Sequence, residues 1–280
     1  MEPLHHAPII DIHTHFMPQR VLDKVWAYFD SAGPLTGRPW PITYRTDEGE
    51  RLATLRALGV RAFPSLNYAH RPGMAQWLND WSTDFAARVP EAIHSATFYP
   101  EPGAAEYTQA AIEAGARIVK VHVQVGDYPL DDPRLDEVWP VLERSRTPIV
   151  MHAGNGPAPG RFTGPAAVRD LLERHPRLVL VIAHMGMPDY GDFLDIAREH
   201  PDVHLDTTMA FTDFTEALAP FPTDRLDDLA ELDDRVLFGS DFPNIPYSYE
   251  HAVQAVTDLG LGDDWTRAVL HDNAARLLGE

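Results

Sequence analysis

The sequence predicts an α/β fold: a TIM-type (β/α)8 barrel with a long loop insertion after the first strand. Three observations predict it. Short runs rich in β-branched residues recur along the 280 residues, each followed by a segment of helical periodicity. Runs such as RIVKVHV, TPIVMHA and LVLVIAH are apolar rather than alternating, which is typical of parallel strands buried on both faces. Most steps from strand to strand are about 25–35 residues, the size of one βα unit.

Eight strands are predicted, and eight parallel strands close into a barrel whose interior side chains can fill. They are Pro8–Ile12, Val60–Leu66, Ala92–Tyr99, Arg117–Val123, Pro148–Ala153, Leu178–His184, Val203–Thr207 and Val236–Asp241. An open doubly wound sheet is the alternative, but no glycine-rich phosphate loop follows the first strand. Residues 1–280 are expected to form one barrel domain, since such a barrel needs roughly 250 residues.

Helix signals lie between the strands. Pro follows Asp132 and Gly164 at the start of RLDEVWPVLERS and AAVRDLLERH, and Pro is favoured at the first helical position. AAEYTQAAIEAG closes on Gly115, a usual helix terminator. SYEHAVQAVTDLG and DDWTRAVLHDNAARLLG are two further helices after the last strand. The step from Phe16 to Gly59 is longer, and its segment SAGPLTGRPWPITYRT predicts an extended loop over the barrel mouth.

Composition limits the partners and the chemistry. The chain has 23 basic and 42 acidic residues, a net charge of −19, and such a field repels nucleic acid and anionic membranes. It has no cysteine, which excludes disulfides, thiolate nucleophiles and cysteine-ligated zinc. MEPLHHAPIID lacks the pattern of a signal peptide, and no run approaches a membrane span. A cytoplasmic protein with a small-molecule substrate is expected. A homodimer is a hypothesis that rests only on how common symmetric pairs are.

Polar residues gather where the predicted strands end, the edge of a barrel at which active sites form. The first strand ends in DIHTH, and residues two apart in a strand face the same side, so His13 and His15 point together into the barrel. The fourth strand carries Lys120 and His122. The last four predicted strands end at or next to His152, His184, Asp206 and Asp241.

These positions favour a metal or catalytic site. A single histidine could be a hydrogen-bonded core residue, but five of the 14 histidines lie at strand ends. Imidazoles with a carboxylate suit zinc, and also manganese, iron or cobalt. Such an ion can lower the pKa of water towards 7. Asp241 can then act as ligand and base, and His184 can orient the water or shuttle its proton. Asp206 is either a substrate contact or a strand-end residue.

Several motifs resemble the amidohydrolase superfamily, in particular the branch that contains aminocarboxymuconate-semialdehyde decarboxylase. They are DIHTHFMP, VKVHVQVGDYPLDDPRLDEVWP, PIVMHAG, VIAHMG, FGSDFP and HDNAARLLG. A lone HxH would be weak evidence, but this ordered set is specific, and the resemblance is weakest over residues 16–60. It implies one divalent ion, zinc first and manganese as the alternative. The ligands it implies are His13, His15, His152 and Asp241.

The resemblance also implies roles beside the ion. Asp241 would be the proton acceptor, and His184 would contact the metal-bound water or the substrate. Binuclear relatives carbamylate a lysine on the fourth strand, where Lys120 lies. The motif VKVH is instead similar to the mononuclear branch, so a substrate-binding or structural role is predicted for Lys120. His122 is predicted to bind substrate. Some lactone-hydrolysing relatives work without a metal, which leaves a metal-free site as an alternative.

Further residues are candidates for binding an acidic or aromatic substrate. Arg161 lies in the loop GNGPAPGRFTGP, and Arg binds carboxylates through a planar fork; a surface ion pair is the alternative. Aromatic residues just past the strand ends, or in the first loop, would suit a flat ring, with plain packing as the alternative. They are Phe16, Trp40, Phe162, Phe211, Phe242 and Tyr247.

Three functions are compatible with these patterns. The leading hypothesis is hydrolysis of a small ester, lactone or amide by metal-activated water. The second is metal-dependent, non-oxidative decarboxylation of an aromatic or unsaturated carboxylic acid, which the same ligands could serve. The third is a non-catalytic binding protein on a barrel scaffold, since a fold does not dictate a function; this hypothesis leaves the set of strand-end ligands unexplained.

Overall fold

Nine parallel strands form the wall of a (β/α)8 barrel in the computed structural model, which describes residues 8–279 apart from the side chain of Leu35. The first seven residues, where no signal peptide is predicted, lie outside the described residues. The strands are β1 (Ile9–Ile10), β2 (Val60–Pro64), β3 (Ala92–Ile93), β4 (Ser95–Thr97), β5 (Ile118–His122), β6 (Ile149–His152), β7 (Leu180–Ile182), β8 (Val203–Asp206) and β9 (Val236–Leu237).

Helices follow the strands as the sequence predicts. They are α1 (Gln19–Ser31), α2 (Gly33–Thr36), α3 (Glu48–Ala57), α4 (Ala75–Arg88), α5 (Ala104–Glu113), α6 (Val123–Gly126), α7 (Val138–Ser145), α8 (Pro165–Arg174), α9 (Tyr190–Glu199), α10 (Asp213–Glu216), α11 (Leu226–Glu231), α12 (Tyr249–Thr257), α13 (Asp263–Arg267) and α14 (Asn273–Leu278). A π-helical segment, Ala268–Asp272, joins α13 to α14. Within residues 8–279, no helix has both the length and the apolarity needed to cross a bilayer.

Two predicted segments differ in detail. The helix expected after Asp132 begins as a short 3-10 turn, because the Asp132 side chain accepts a hydrogen bond from the Arg134 N–H; α7 starts only at Val138. The loop insertion after β1 contains α1 and the short α2, and residues 37–47 have no regular structure. Trp40 fixes this stretch over the barrel, since its indole N–H donates to the carbonyl of Asn244 at 2.8 Å.

The third predicted strand is broken at His94 into β3 and β4. β3 pairs with β2, whereas β4 pairs with β5, so the wall consists of a three-stranded sheet, β1–β2–β3, and a six-stranded sheet, β4 to β9. The Asn79 side chain of α4 takes the place of a neighbouring strand at this break. It accepts from the Thr97 N–H at 2.8 Å and donates to the Thr97 carbonyl at 3.0 Å.

The barrel closes between its first and last strands. The Ile12 N–H donates to the Phe238 carbonyl at 2.9 Å, and the His15 N–H donates to the Phe242 carbonyl at 2.7 Å. Thr14 and Phe242 form an isolated parallel bridge. These contacts place the end of β1 directly beside the chain that follows β9.

Replacing Asn79 with alanine is expected to destabilise the fold by about 1–3 kcal/mol, because the buried Thr97 backbone groups lose their partners. The free energy of unfolding in urea measures this loss. Asn79→Asp keeps the acceptor and removes the donor, so it should cost part of that energy. Unchanged stability in Asn79→Ala would show that the two sheets do not depend on this side chain.

The barrel interior is layered, with apolar residues towards the N-terminal ends of the strands and polar residues towards their C-terminal ends. Along β5 the inward side chains are Ile118, Lys120 and His122, and along β6 they are Val150 and His152. The apolar layer continues into α14, whose buried side chains pack at the N-terminal ends of the strands. The layered interior leaves the polar side chains at the C-terminal ends of the strands, where a barrel places its chemistry.

Candidate active site

Three of the predicted metal ligands lie together at the C-terminal ends of the strands. One ligand atom each from His13, His15 and Asp241 lies within 4.8 Å of the others, and all three residues are buried. Asp241 Oδ1 is 2.9 Å from Nε2 of His15 and 3.6 Å from Nε2 of His13. We call these residues the triad.

Hydrogen bonds orient both triad histidines. His13 Nδ1 donates to Asp206 Oδ2 at 2.9 Å, and His15 Nδ1 donates to the carbonyl of Leu66 at 3.0 Å. A carbonyl can only accept, so the Nδ1 of His15 carries a proton and its Nε2 faces Asp241. Metal-binding histidines are held by such bonds from the nitrogen that does not bind the metal. The Nε2 atoms of both rings lie within 4 Å of the same Asp241 oxygen, as atoms that share one ion would. The triad therefore fits a divalent ion.

Asp206 contacts the triad through the Nδ1 side of His13, away from the Nε2 atom that faces Asp241. It is fully buried, and its carboxylate accepts hydrogen bonds from His13 Nδ1, from the His184 N–H at 2.8 Å and from the Thr208 N–H at 3.1 Å. These three bonds support the strand-end alternative for Asp206, and its contact with a substrate stays a prediction. Asp206 holds the backbone and ring of two predicted site histidines.

Asp241 lies outside the regular strand that was predicted to contain it. β9 ends at Leu237, and Asp241 has a left-handed backbone with φ of +70°. Its N–H donates to the carbonyl of His13 at 2.9 Å. Gly239 permits this approach, because a Cβ there would collide with the Thr208 hydroxyl and lie 2.8 Å from the Cβ of His13.

A buried carboxyl that the site prediction missed joins the two chain segments of the triad. Asp11 accepts hydrogen bonds from the N–H of His13 at 3.0 Å, from the N–H and hydroxyl of Ser240 at 3.2 and 2.6 Å, and from the hydroxyl of Tyr249 at 2.9 Å. Burial raises the pKa of Asp11 to about 7 despite these donors. The spacing of Asp11 and His13, two residues apart at the end of the first predicted strand, was the available signal.

His184 and His152 lie next to the triad. The predicted strand Leu178–His184 stops at Ile182, because His184 has a left-handed φ of +55° within a 3-10 turn. Its Nδ1 donates to the carbonyl of Thr208 at 3.1 Å, which leaves Nε2 unprotonated. His152 Nε2 donates to the carbonyl of Gly156 at 2.9 Å, which leaves Nδ1 available. His152 is not within the 4.8 Å group, so its role as a fourth ligand stays a prediction.

Six rings form a closed circle around the site. In order they are His13, His15, Tyr68, His122, His152 and His184, with neighbouring centroids 5.1, 5.7, 5.0, 4.1, 4.8 and 5.2 Å apart. We call this set the six-ring circle. Tyr68 was not predicted, although it follows β2 at the same edge of the barrel; the end of the second strand was the signal.

Burial governs the charges of the circle. It lowers the pKa of His152 to about 3 and the pKa of His122 well below its usual value, with neighbouring cationic groups adding to the effect. Neutral imidazoles are the form that binds a metal ion. Burial opposes ionisation of Asp241, but the hydrogen bond and charge of His15 outweigh it and hold the pKa of Asp241 below its usual range. Asp241 therefore stays a carboxylate.

Lys120 is fully buried beside the triad. Its Nζ donates to Nε2 of His13 at 3.0 Å. This nitrogen can accept because the ring proton lies on Nδ1, which donates to Asp206. Burial lowers the pKa of Lys120 to about 8. The lysine thus contacts a triad residue, and its predicted role in binding substrate stays a prediction.

Arg161 packs on a neighbouring aromatic ring. It is exposed, with its guanidinium 4.7 Å from the ring centroid of Phe162, and it makes no ion pair within the described residues. Its substrate-binding role stays a prediction. Phe16 and Phe242 are fully buried in the core, so the prediction that they line a pocket is wrong and the packing alternative holds. Phe162, Phe211 and Tyr247 are half-buried.

Known proteins resemble the chain in sequence family and in fold. The family model for amidohydrolases matches residues 10–279. No curated protein matches the sequence. An uncharacterised TIM-barrel protein from Bordetella bronchiseptica is 21% identical, with a TM-score of 0.76 over 98% of this chain and 99% of that chain.

Two named enzymes share the fold at lower identity. A 5-carboxyvanillate decarboxylase from Novosphingobium aromaticivorans, solved with manganese and 4-hydroxy-3-methoxy-5-nitrobenzoic acid, is 15% identical, with a TM-score of 0.64 over 98% and 97% of the two chains. A probable 2-pyrone-4,6-dicarboxylic acid hydrolase from Acinetobacter baumannii is also 15% identical, with a TM-score of 0.63 over 98% and 100%.

Proposed function

The chain belongs to the amidohydrolase family of enzymes, and from this we propose that it is a metal-dependent hydrolase of a small ester, lactone or amide with an acidic or aromatic group. The observation that carries the proposal is the buried triad, in which Asp241 is a carboxylate between two imidazoles that present Nε2. Hydrolysis needs a base that is ionised before the reaction starts. Asp241 meets that need.

The residues that would hold the ion follow from their hydrogen bonds. His13 and His15 offer Nε2, Asp241 offers a carboxylate oxygen, and His152 would offer Nδ1 as the fourth ligand. When bound, a divalent ion supplies Lewis acidity towards water and towards a substrate oxygen. Zinc suits this ligand set. Manganese is the alternative, because the similar 5-carboxyvanillate decarboxylase structure contains it.

The chain's own residues would move the proton. Asp241 would accept it from the attacking water, and His184 Nε2 would accept a hydrogen bond at the reacting group. The bond from His184 Nδ1 to the carbonyl of Thr208 fixes the ring in that orientation. Because Asp206 holds the backbone of His184 and the ring of His13, the two sides of the site would keep their spacing through a catalytic cycle.

Non-oxidative decarboxylation of an aromatic or unsaturated acid is the second candidate. The same triad could bind a carboxylate and an adjacent oxygen of such an acid. The flat rings of Tyr68 and His122, 5.0 Å apart at the edge of the site, favour a planar substrate. The 5-carboxyvanillate decarboxylase named above has the same fold as this chain, so the fold can support such a reaction.

One assay separates the reactions. Metal-loaded protein is incubated with a set of aromatic lactones and aryl esters, and separately with a set of hydroxybenzoates. Acid production from the first set without carbon dioxide from the second supports the hydrolase. Carbon dioxide release alone supports the decarboxylase. The binding-protein hypothesis would be supported by neither product together with no enrichment of metal after gentle purification.

Removing the metal is expected to lower the melting temperature. A ligand present about 1000-fold above its Kd stabilises the folded state by about 4 kcal/mol, so chelation should lower Tm by several degrees. Thermal melts with and without chelator measure the change. His13→Ala lacks one triad ligand and should show a much smaller response. Equal responses in both proteins would place the metal elsewhere.

A further inference from the structure

Two members of the six-ring circle lie at its open side. Tyr68 and His122 are partly exposed, whereas the other four rings are buried, with exposures from 0% to 8%. The two are neighbours in the circle, with centroids 5.0 Å apart. A ligand that reaches the triad from solvent therefore passes the edge that these two rings form.

Each of the two residues presents a hydrogen-bond donor that the chain does not use. The Val125 N–H donates to Nδ1 of His122 at 3.3 Å, so the proton of the neutral ring lies on Nε2. The Tyr68 hydroxyl and the His122 Nε2–H have no hydrogen-bond partner among residues 8–279. Donors left unpaired at the edge of a site are available to a ligand.

The loop that carries Tyr68 is fixed rather than free. The carbonyl of Leu66 accepts from His15 Nδ1, and the Asn67 side chain donates to the Phe16 carbonyl at 3.1 Å and to the Ser82 hydroxyl at 3.0 Å. His122 is fixed by its place at the end of β5 and the start of α6. Two donors on fixed supports define a binding geometry before a ligand arrives.

We infer that Tyr68 and His122 form a donor pair that binds a carboxylate substituent of the substrate beside the triad. A carboxylate has two oxygens that only accept, so it can take one bond from each donor. Hydrogen bonds to an ionised acceptor are about twice as strong as neutral ones. The inference rests on the proposed function and names the substrate group that the site selects.

Benzoate binding to cobalt-loaded protein tests the donor pair. Calorimetry gives its Kd, and the cobalt absorption spectrum shows whether the carboxylate has bound the metal instead. Tyr68→Phe removes only the hydroxyl. His122→Asn keeps a residue that can accept the Val125 N–H at the start of α6, but its side chain is too short to reach the ligand. Each variant is expected to weaken benzoate binding about tenfold.

The double variant and a matched control complete the test. Two donors to one carboxylate are coupled, so the double variant should lose less than the roughly 100-fold product of the single effects. Tyr190→Phe is the control, because that hydroxyl donates to the Ala219 carbonyl away from the circle, and its Kd should not change. Metal content, measured for every variant, should stay at about one ion per chain.

The outcomes separate this inference from the proposed function. One ion per chain with benzoate affinities that are unchanged in Tyr68→Phe and His122→Asn would overturn the donor pair and leave the metal site standing. Failure of the wild-type protein to bind benzoate at millimolar concentration, or a cobalt spectrum showing direct metal ligation by the carboxylate, would overturn it as well. Absence of metal would instead remove the proposed function.

Discussion

Asp241→Asn is expected to lower turnover by about 100- to 10,000-fold, the range that a positioned acid or base contributes. The amide is the same size as the carboxylate but cannot accept the proton, and it is a weaker metal ligand. The fold should persist, because the N–H of residue 241 still donates to the carbonyl of His13. Initial rates at saturating substrate, together with metal content, measure the two losses separately.

A matched control is available for Asp241→Asn. Asp132 caps the 3-10 turn before α7 and pairs with Arg134 rather than with a triad residue, so Asp132→Asn makes the same chemical change and should leave the rate unchanged. Activity within a few-fold of wild type in Asp241→Asn would contradict its assignment as ligand and proton acceptor. Lost activity together with lost thermal stability would point instead to a failure of folding, which circular dichroism detects.

Asp206→Asn is expected to weaken metal binding by about 10- to 100-fold, the cost usually seen when a residue that orients a ligand is changed. The new amide can still accept from the N–H groups of His184 and Thr208, but its NH2 group would face Nδ1 of His13. His13 would then move its proton to Nε2, the atom that faces the ion. Metal titration monitored by cobalt absorption measures the affinity.

The position of Asp206 makes this test specific. Its side chain does not reach the open side of the six-ring circle, so metal affinity should fall more than substrate affinity at saturating metal. Asp195→Asn, which changes a surface carboxylate paired with Arg225, is the control and should leave metal affinity unchanged. An unaltered cobalt Kd in Asp206→Asn would mean that the tautomer of His13 does not depend on this residue.

Local rules predict much of the site from the sequence. His13, His15, Lys120, His122 and His152 lie where the period of a strand and the strand ends place them. The barrel itself follows from recurrent apolar strands and from helix signals at Gly and Pro. These features depend on neighbours in the chain, which a sequence shows directly.

Other parts of the site depend on contacts between distant segments. His184 and Asp241 have left-handed backbones that no local pattern indicates, and their N–H groups are held by Asp206 and His13. Tyr68 reaches the circle because Leu66, with a φ of +35°, turns the chain after β2. The break at His94 is equally non-local, since it depends on the Asn79 side chain of α4.

Because the barrel wall consists of two sheets, an ion bound by the triad would also link one sheet to the other. His13 and His15 follow β1 in the three-stranded sheet, whereas Asp241 follows β9 in the six-stranded sheet. One cation held by all three would add a second kind of link at the junction between the first and last strands, which backbone hydrogen bonds already cross. Amide exchange at Ile12 and Asp241, whose N–H groups cross that junction, would then slow on metal loading and report occupancy of the site without any substrate.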